Sequence, residues 1–271
     1  MKSNLIYNEE LLKGRNALVT GGGTGLGRAI SVGLSQVGAN VTIVSRQEEK
    51  LAKAAKEISD GTGRQVSYDV VDIRDNDSVT ELSQRHENID ILINNAGGQF
   101  PQKARDFSPN GWRSVIDLNL NGTWNMTQAF GNKMLEGDGG SICQIIATVG
   151  RGIPGIAHSA SARAGVLELS KTLSFEWGPK VRVNCVAPGQ FRTDAFDSTY
   201  EDGVGDGFVE QPLPNIGDVA DIANGVIFLV SPAARFITGE VLHVDGGLIL
   251  QGPMSALPVD GYPERKLSHG F

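Results

Sequence analysis

The stretch Ala17-Leu18-Val19-Thr20-Gly21-Gly22-Gly23-Thr24-Gly25-Leu26-Gly27 decides how the chain is read. Ala17 to Val19 is a short apolar run that reads as a buried strand. Beyond the glycines, Leu26, Ile30 and Leu34 recur at helical spacing. Strand, glycine turn and helix in that order form the setting a dinucleotide-phosphate site requires. Gly21 permits the tight turn, and Gly25 removes a Cβ that would hold a pyrophosphate off the backbone. Gly27 lets the helix lie close on the strand. The first N–H groups of such a helix have no partners within it and face an anion, helped by the helix dipole. The spacing is Gly-x3-Gly-x-Gly, a variant of the Gly-x-Gly-x-x-Gly pattern.

Composition bounds what surrounds this turn. The 271 residues are 40% apolar and 20% charged, enough for one large α/β core. A net charge of −7 argues against nucleic acid or an anionic membrane as partner. No apolar run approaches the roughly 18–20 residues of a membrane span. The opening residues, with Glu9, Glu10 and Lys13, lack the apolar core of a secretion signal. Two cysteines, Cys143 and Cys185, each fall inside an expected strand and read as buried, reduced thiols of a cytoplasmic protein.

Further along, Asn40 to Val44 reads as a second strand ending at Ser45-Arg46-Gln47. The end of the second strand is where a dinucleotide site meets the adenosine ribose. An acid there accepts from the ribose hydroxyls, whereas Arg46 beside Ser45 suits a 2′-phosphate and favours NADP(H) over NAD(H). A third strand near 65–71 leads into Asp72-Ile73-Arg74, where Asp72 is placed to accept from an adenine amino group. A central strand over 89–94 runs into Asn94-Asn95-Ala96-Gly97-Gly98. The small residues there leave room for a ring against the backbone, and the asparagines can tie neighbouring strands together.

Thr20 to Gly27 together with Asn94-Asn95-Ala96-Gly97 resembles the short-chain dehydrogenase/reductase family. Pro188-Gly189 after a strand and Val244-Asp245-Gly246-Gly247 near the end fit the same family. The resemblance spans about 12–250. It implies an α/β fold: a single Rossmann-like, doubly wound parallel sheet of seven strands flanked by helices, in a homo-oligomer, dimer or tetramer. It also implies cofactor contacts at Gly21, Thr24, Gly25, Leu26, Gly27, Ser45, Arg46, Asp72, Ile73, Asn95, Ala96 and Gly97. Near the nicotinamide the expected contacts are Arg163, Pro188, Gly189, Phe191 and Thr193. No metal is expected.

The family's catalytic pattern is a Ser, a Tyr-x-x-x-Lys pair and an Asn on the preceding helix. Asn119 stands at the Asn position. The strand over 141–147 ends Ile146-Ala147-Thr148, with no hydroxyl in the Ser position unless Thr148 substitutes from one residue away. Aligned on Ala164-Gly165, the Tyr position holds Ser159 and the Lys position holds Arg163. A serine hydroxyl is far less acidic than a phenol and shorter, and losing a general acid costs roughly 10²–10⁴ in rate. Arg163 keeps a positive charge and donors for ribose hydroxyls but relays no proton.

Reduction of an activated carbon–carbon double bond suits such a site, because a developing enolate needs donors more than full protonation. Gly97-Gly98-Gln99-Phe100, His158-Ser159 and the run Ala162 to Gly165 are similar to peroxisomal trans-2-enoyl-CoA reductases. His158 to Pro179 is similar to 2,4-dienoyl-CoA reductases. The resemblance implies an NADPH-dependent reductase of a small-molecule substrate, an unsaturated acyl thioester or enone. Asn119, His158, Ser159 and Arg163 form its candidate catalytic set. His158 reads either as proton donor or oxyanion partner, or as a cap on the helix it opens. Gln99 and Phe100 are candidates to line the acyl pocket. Alternatives are a carbonyl or dienoyl reductase, or a cofactor-binding pseudoenzyme. The acidic run 194–215 reads as a substrate lid, and its charge disfavours the phosphates of coenzyme A. The tail 251–271 ends Ser-His-Gly-Phe, which is not a peroxisomal Ser-Lys-Leu address, so a cytoplasmic enzyme is expected.

Overall fold

The computed structural model describes residues 6–148, 152, 154–191, 193, 211–213 and 216–250. The expected tail lies outside these residues, as does the expected lid except for 211–213. Among the described residues the strands are β1 (Asn16–Thr20), β2 (Asn40–Ser45), β3 (Val66–Val70), β4 (Ile91–Asn94), β5 (Gly140–Ile145), β6 (Val181–Pro188) and β7 (Val241–Val244). They form one parallel sheet in the order β3-β2-β1-β4-β5-β6-β7. The helices are α1 (Gly25–Gln36), α2 (Glu48–Thr62), α3 (Asn76–Arg85), α4 (Pro109–Ile116), α5 (Gly122–Glu136), α6 (Ala157–Glu176) and α7 (Val219–Val230).

Alternation along each strand divides the core in two. Ala17 and Val19 face a cluster with Ile30 and Leu34 of α1, Ile58 of α2 and Val226 of α7. Leu18 between them faces the opposite cluster, with Leu82 of α3, Phe130 of α5 and Leu173 of α6. Both faces of the sheet are therefore covered, and its strands read as apolar runs. The two cysteines lie on adjacent strands, yet Cys143 pairs in register with Asn184 and Cys185 with Gln144. Their thiols point to opposite faces and are free and buried. Burial pushes the Cys185 thiol up to about 11 and the Cys143 thiol higher still.

From β1 the chain winds outward to β3, then returns to place β4 on the other side of β1. The crevice at the carboxyl ends of β1 and β4 is the switch point where doubly wound sheets bind ligands. Thr20 Oγ1 accepts from the amides of both Asn95 and Ala96 at 2.9 Å. Asn95 Nδ2 donates back to the Thr20 carbonyl at 3.0 Å and to the Gly21 carbonyl at 3.3 Å. Gly27 packs so closely that a Cβ there would collide with the Gly21 carbonyl oxygen and Asn95 Nδ2. The asparagine expected to tie the strands does so by side chain and backbone together.

Two local features exceed what periodicity shows. A five-residue π-turn, Asp117–Asn121, joins α4 to α5. Asp218 opens α7 with a capping box: its carboxylate accepts from the Ala220 amide at 2.8 Å, and the Asp221 carboxylate accepts from the Asp218 amide at 3.0 Å. No helix among the described residues is long and apolar enough to cross a membrane.

Thr20→Val keeps the shape of the side chain but strands two amides at the switch point. We expect a loss of about 2 kcal/mol of unfolding free energy by urea denaturation, on the scale for orphaned amides.

Candidate active site

The glycine turn opens a cavity of about 270 Å³ lined by Gly21, Thr24, Ser45, Arg46, Asp72 and Gly97, with Ile73 and Ala96 beside them. Gly21 has φ +64° and Gly25 φ +50°, the left-handed region that a side chain would strain. Thr24 is the N-cap of α1, and its side chain caps no amide. The first amides of α1 therefore stay available for an anion. Thr193 comes from beyond β6 to meet this turn: a Cβ on Gly25 would lie 3.7 Å from the Thr193 side chain. Half-buried Leu26 follows in the first turn of α1.

At the far end of this cavity two exposed cations stand together. Arg46 ends β2, and Lys50, one helical turn into α2, lines the same cavity. Among the described residues neither forms an ion pair with a carboxylate. Lys50 went unnoticed in the sequence, although its i+4 spacing from Arg46 points to one face. Asp72 is held differently from expectation. Arg74 donates to its carboxylate from Nε at 2.9 Å and from its amide at 3.1 Å. These bonds hold Asp72 below the usual carboxylate range, against the opposing effect of burial. Its second neighbour Ile73 uses its carbonyl to accept from Asn125 Nδ2 at 3.0 Å.

The other end of the crevice is built on Gly97-Gly98. Asn119, fully buried in the π-turn, accepts from the Gly98 amide at 2.9 Å and donates to the Gly98 carbonyl at 3.0 Å. Its Nδ2 also donates to Ser159 Oγ at 3.3 Å. Since Ser159 Oγ accepts there, its own proton is free to be donated elsewhere. Arg163, one turn along α6, donates from Nη1 to the Ile145 carbonyl at the end of β5 at 2.7 Å. Its Nη2 occupies the space a Cβ on residue 97 would fill, and that Cβ would lie 3.1 Å from Asn119 Oδ1. The guanidinium is 9% exposed and has no carboxylate partner among the described residues. Burial lowers it to about 10, so it keeps its charge at neutral pH.

His158 sits behind this group. Its ring lies 4.6 Å from Phe100, edge to face, and 4.4 Å from Phe107. Phe107 in turn touches Trp112, with ring centres 6.2 Å apart. Nδ1 accepts the Ser159 amide at 2.8 Å, so the proton of the neutral ring belongs on Nε2. That atom is buried and finds no partner. Burial pushes the imidazole below its usual range, with the Ile156 carbonyl opposing. Thr148 points its hydroxyl elsewhere, donating to the Pro188 carbonyl at 3.1 Å. Gly189 follows β6, packed against Asp245, and the buried Phe191 ring rests on Gly217. Neither described tyrosine is nearby in this set: Tyr7 hydrogen-bonds the Asn224 carbonyl and Tyr68 is on β3.

Comparison with known proteins agrees with this architecture. A family model described as enoyl-(acyl carrier protein) reductase matches residues 21–249. The chain belongs to the short-chain dehydrogenase/reductase family. It is 38% identical over 244 residues to 3-oxoacyl-[acyl-carrier-protein] reductase FabG of Chlamydia trachomatis, covering 88% of this chain and 98% of the relative. It is 36% identical over 252 residues to the peroxisomal 2,4-dienoyl-CoA reductase of Danio rerio, covering 89% and 84%. Among solved structures it is similar to a gluconate 5-dehydrogenase from Burkholderia cenocepacia in complex with NADP and tartrate. That match has a TM-score of 0.84 at 32% identity, over 90% of this chain and 99% of the other. The chain is thus an oxidoreductase of this family, and its crevice has the glycines and free amides that a nicotinamide dinucleotide requires.

The His158 geometry gives a signed pH dependence. Its folded-state pKa lies below the ordinary 6.5, so the unfolded chain binds the extra proton first. Stability from this group is complete above that value and falls as the pH drops below it. We expect unfolding free energy, measured by urea denaturation between pH 7.5 and 5, to fall less steeply in His158→Gln than in the parent.

Proposed function

We propose that this protein is an NADPH-dependent reductase of an activated carbon–carbon double bond, with a trans-2-enoyl thioester as its substrate. The observation that carries the proposal is the constellation Asn119, Ser159 and Arg163 around Gly97-Gly98, rich in donors and lacking a phenol among the described residues. The cofactor would lie along the crevice from Arg46 to Arg163, its pyrophosphate on the Gly21–Gly27 turn. Asn95, Ala96, Gly97, Pro188, Gly189, Phe191 and Thr193 would bound its length. Arg46 and Lys50 would meet the 2′-phosphate with charge-assisted bonds. When bound, NADPH supplies a hydride for the β-carbon of the alkene.

This chain's residues would hold the reacting oxygen. Ser159 has a proton to donate, because Asn119 already fills one acceptor position on its oxygen. Asn119 fixes both Ser159 and the Gly98 backbone, so that donor is oriented before substrate arrives. His158 supports the same turn through the Ser159 amide. Phe100, Phe107 and Trp112 would offer an apolar wall to an acyl chain. The relatives named for enoyl and dienoyl chemistry support this reading. We further read the protein as a cytoplasmic homo-oligomer, dimer or tetramer. Carbonyl reduction is the second reading, favoured by the relatives named 3-oxoacyl-[acyl-carrier-protein] reductase.

Stopped-flow oxidation of NADPH with crotonyl- and octenoyl-pantetheine should show turnover, and acetoacetyl-pantetheine should be reduced more slowly. The reverse order would replace the proposal with carbonyl reduction, and no oxidation with any of the three would leave a cofactor-binding pseudoenzyme. Ser159→Ala should slow the hydride step by about tenfold or more. In fluorescence titrations Arg46→Ala and Lys50→Ala should each weaken NADPH binding by about tenfold while leaving NADH within about twofold. Equal losses for both cofactors would remove the 2′-phosphate assignment.

A further inference from the structure

We propose that Arg163 is itself the catalytic electrophile: its guanidinium holds the negative charge that develops on the substrate oxygen when the double bond is reduced. This deepens the reductase reading and rests on it. The argument starts from how the side chain is placed. Arg163 is almost wholly buried and carries no carboxylate partner among the described residues. Among the described residues only Nη1 is committed, to the Ile145 carbonyl. Nη2 lies against Gly97, in space that no other residue type at 97 would leave open. Gly97 and Gly98 are themselves exposed to the crevice. A guanidinium has five N–H donors in a rigid fork, so the edge toward Gly97 remains to be satisfied by a ligand.

Its neighbours decide which ligand atom that is. Ser159 and Arg163 are one helical turn apart on α6 and share a face. Asn119 bonds Ser159 Oγ and stands beside the same Gly97 position as Nη2. One oxygen accepting from Ser159 is therefore within the surroundings of the guanidinium as well. Among the described residues no other cation is seen to join this group: Lys171 pairs with Glu168 at 2.6 Å on the exposed side of α6. His158 is walled by Phe100 and Phe107, and its ring is kept neutral by burial. A full positive charge in a desolvated site is the strongest stabiliser such a pocket can offer.

The step balances without a phenol. A hydride from the reduced nicotinamide forms the new Cβ–H bond with both its electrons. The alkene pair moves to join Cα to the carbonyl carbon, and the carbonyl pair moves onto oxygen. That oxygen, now anionic, lies on Ser159 and Arg163. When the pair returns, Cα takes a proton from water, giving the saturated thioester and oxidised nicotinamide. Arg163 keeps its protons throughout.

The test separates substrate charge from cofactor holding. S-acetoacetyl-N-acetylcysteamine is the probe, since its enolate absorbs in the near ultraviolet and its keto form does not. Wild-type protein, with and without NADP, should raise the enolate fraction at neutral pH. Arg163→Gln should lower that fraction by about tenfold or more and, at saturating NADPH, slow the hydride step by about a hundredfold. Arg163→Lys, which keeps the charge but has no second nitrogen for Gly97, should restore the band only in part. No band in the wild type overturns the proposal, as does an undiminished band in Arg163→Gln. Loss of NADPH affinity with the band intact assigns Arg163 to the cofactor ribose instead. If Arg163→Gln does not fold, Gly97→Ala replaces it, because its methyl displaces Nη2. The band must then weaken, and an unweakened one overturns the proposal. Failure of the reductase reading shows separately, as a wild type that forms the enolate yet oxidises no NADPH with any enoyl thioester.

Discussion

The hydrogen-bonded lock between the carboxyl ends of β1 and β4 is the constraint on which the rest of the molecule depends. Thr20 receives two amides from the β4 turn, and Asn95 returns two bonds to the β1 turn. The parallel ladder between these strands covers only Ala17 to Val19. Beyond it the two strands no longer pair with each other, and side-chain bonds take over. They hold the glycine turn where α1 can start against the β1 end, with no room for a side chain at Gly27. The same bonds set the course of Ala96-Gly97-Gly98. The first amides of α1 and the floor of the crevice are thus positioned by one set of contacts.

From Gly97-Gly98 the order passes to three helices. The π-turn gives Asn119 a backbone position that an uninterrupted helix would rotate away, and Asn119 spends both ends of its amide on Gly98. Its third bond orients Ser159. Arg163 then joins the end of β5 to this group through the Ile145 carbonyl. Burying a guanidinium with no counter-ion is costly, and the cost is visible in its lowered pKa of about 10. A lysine would meet Ile145 as a single point charge. The planar fork reaches the carbonyl with one nitrogen and Gly97 with another, so the Arg and the glycine form a matched pair.

Much of this was legible in the sequence. Strand positions follow from apolar runs, and the glycine turn with the helix after it from spacing. Strand ends differ by a few residues: β5 stops at Ile145 rather than Ala147. What remained hidden depends on tertiary contact. The π-turn leaves no mark in a pattern of apolar residues, because Asn119 is polar, buried and read simply as an interior helix position. The aromatic walls of His158 come from Phe100 and Phe107, more than fifty residues earlier in the chain. Lys50 was visible only as one cation in a charged helix. The clamp of Arg74 on Asp72 likewise appears only when both side chains are placed.

The positions that depart from the family pattern have a common consequence for where protons can go. Reduction of a ketone must deliver a proton to the oxygen that receives the charge, so the group touching that oxygen has to release one. Arg163 at about 10 retains its protons at neutral pH, and Ser159 has a hydroxyl less acidic than any phenol. Both can hold an anionic oxygen. An alkene conjugated to a carbonyl separates the two demands. Charge gathers on oxygen while the proton is needed later and elsewhere, on the α-carbon, where water suffices. On the proposed reading, a hydroxyl and a guanidinium in place of the phenol and ammonium suit chemistry in which the stabilised atom and the protonated atom differ.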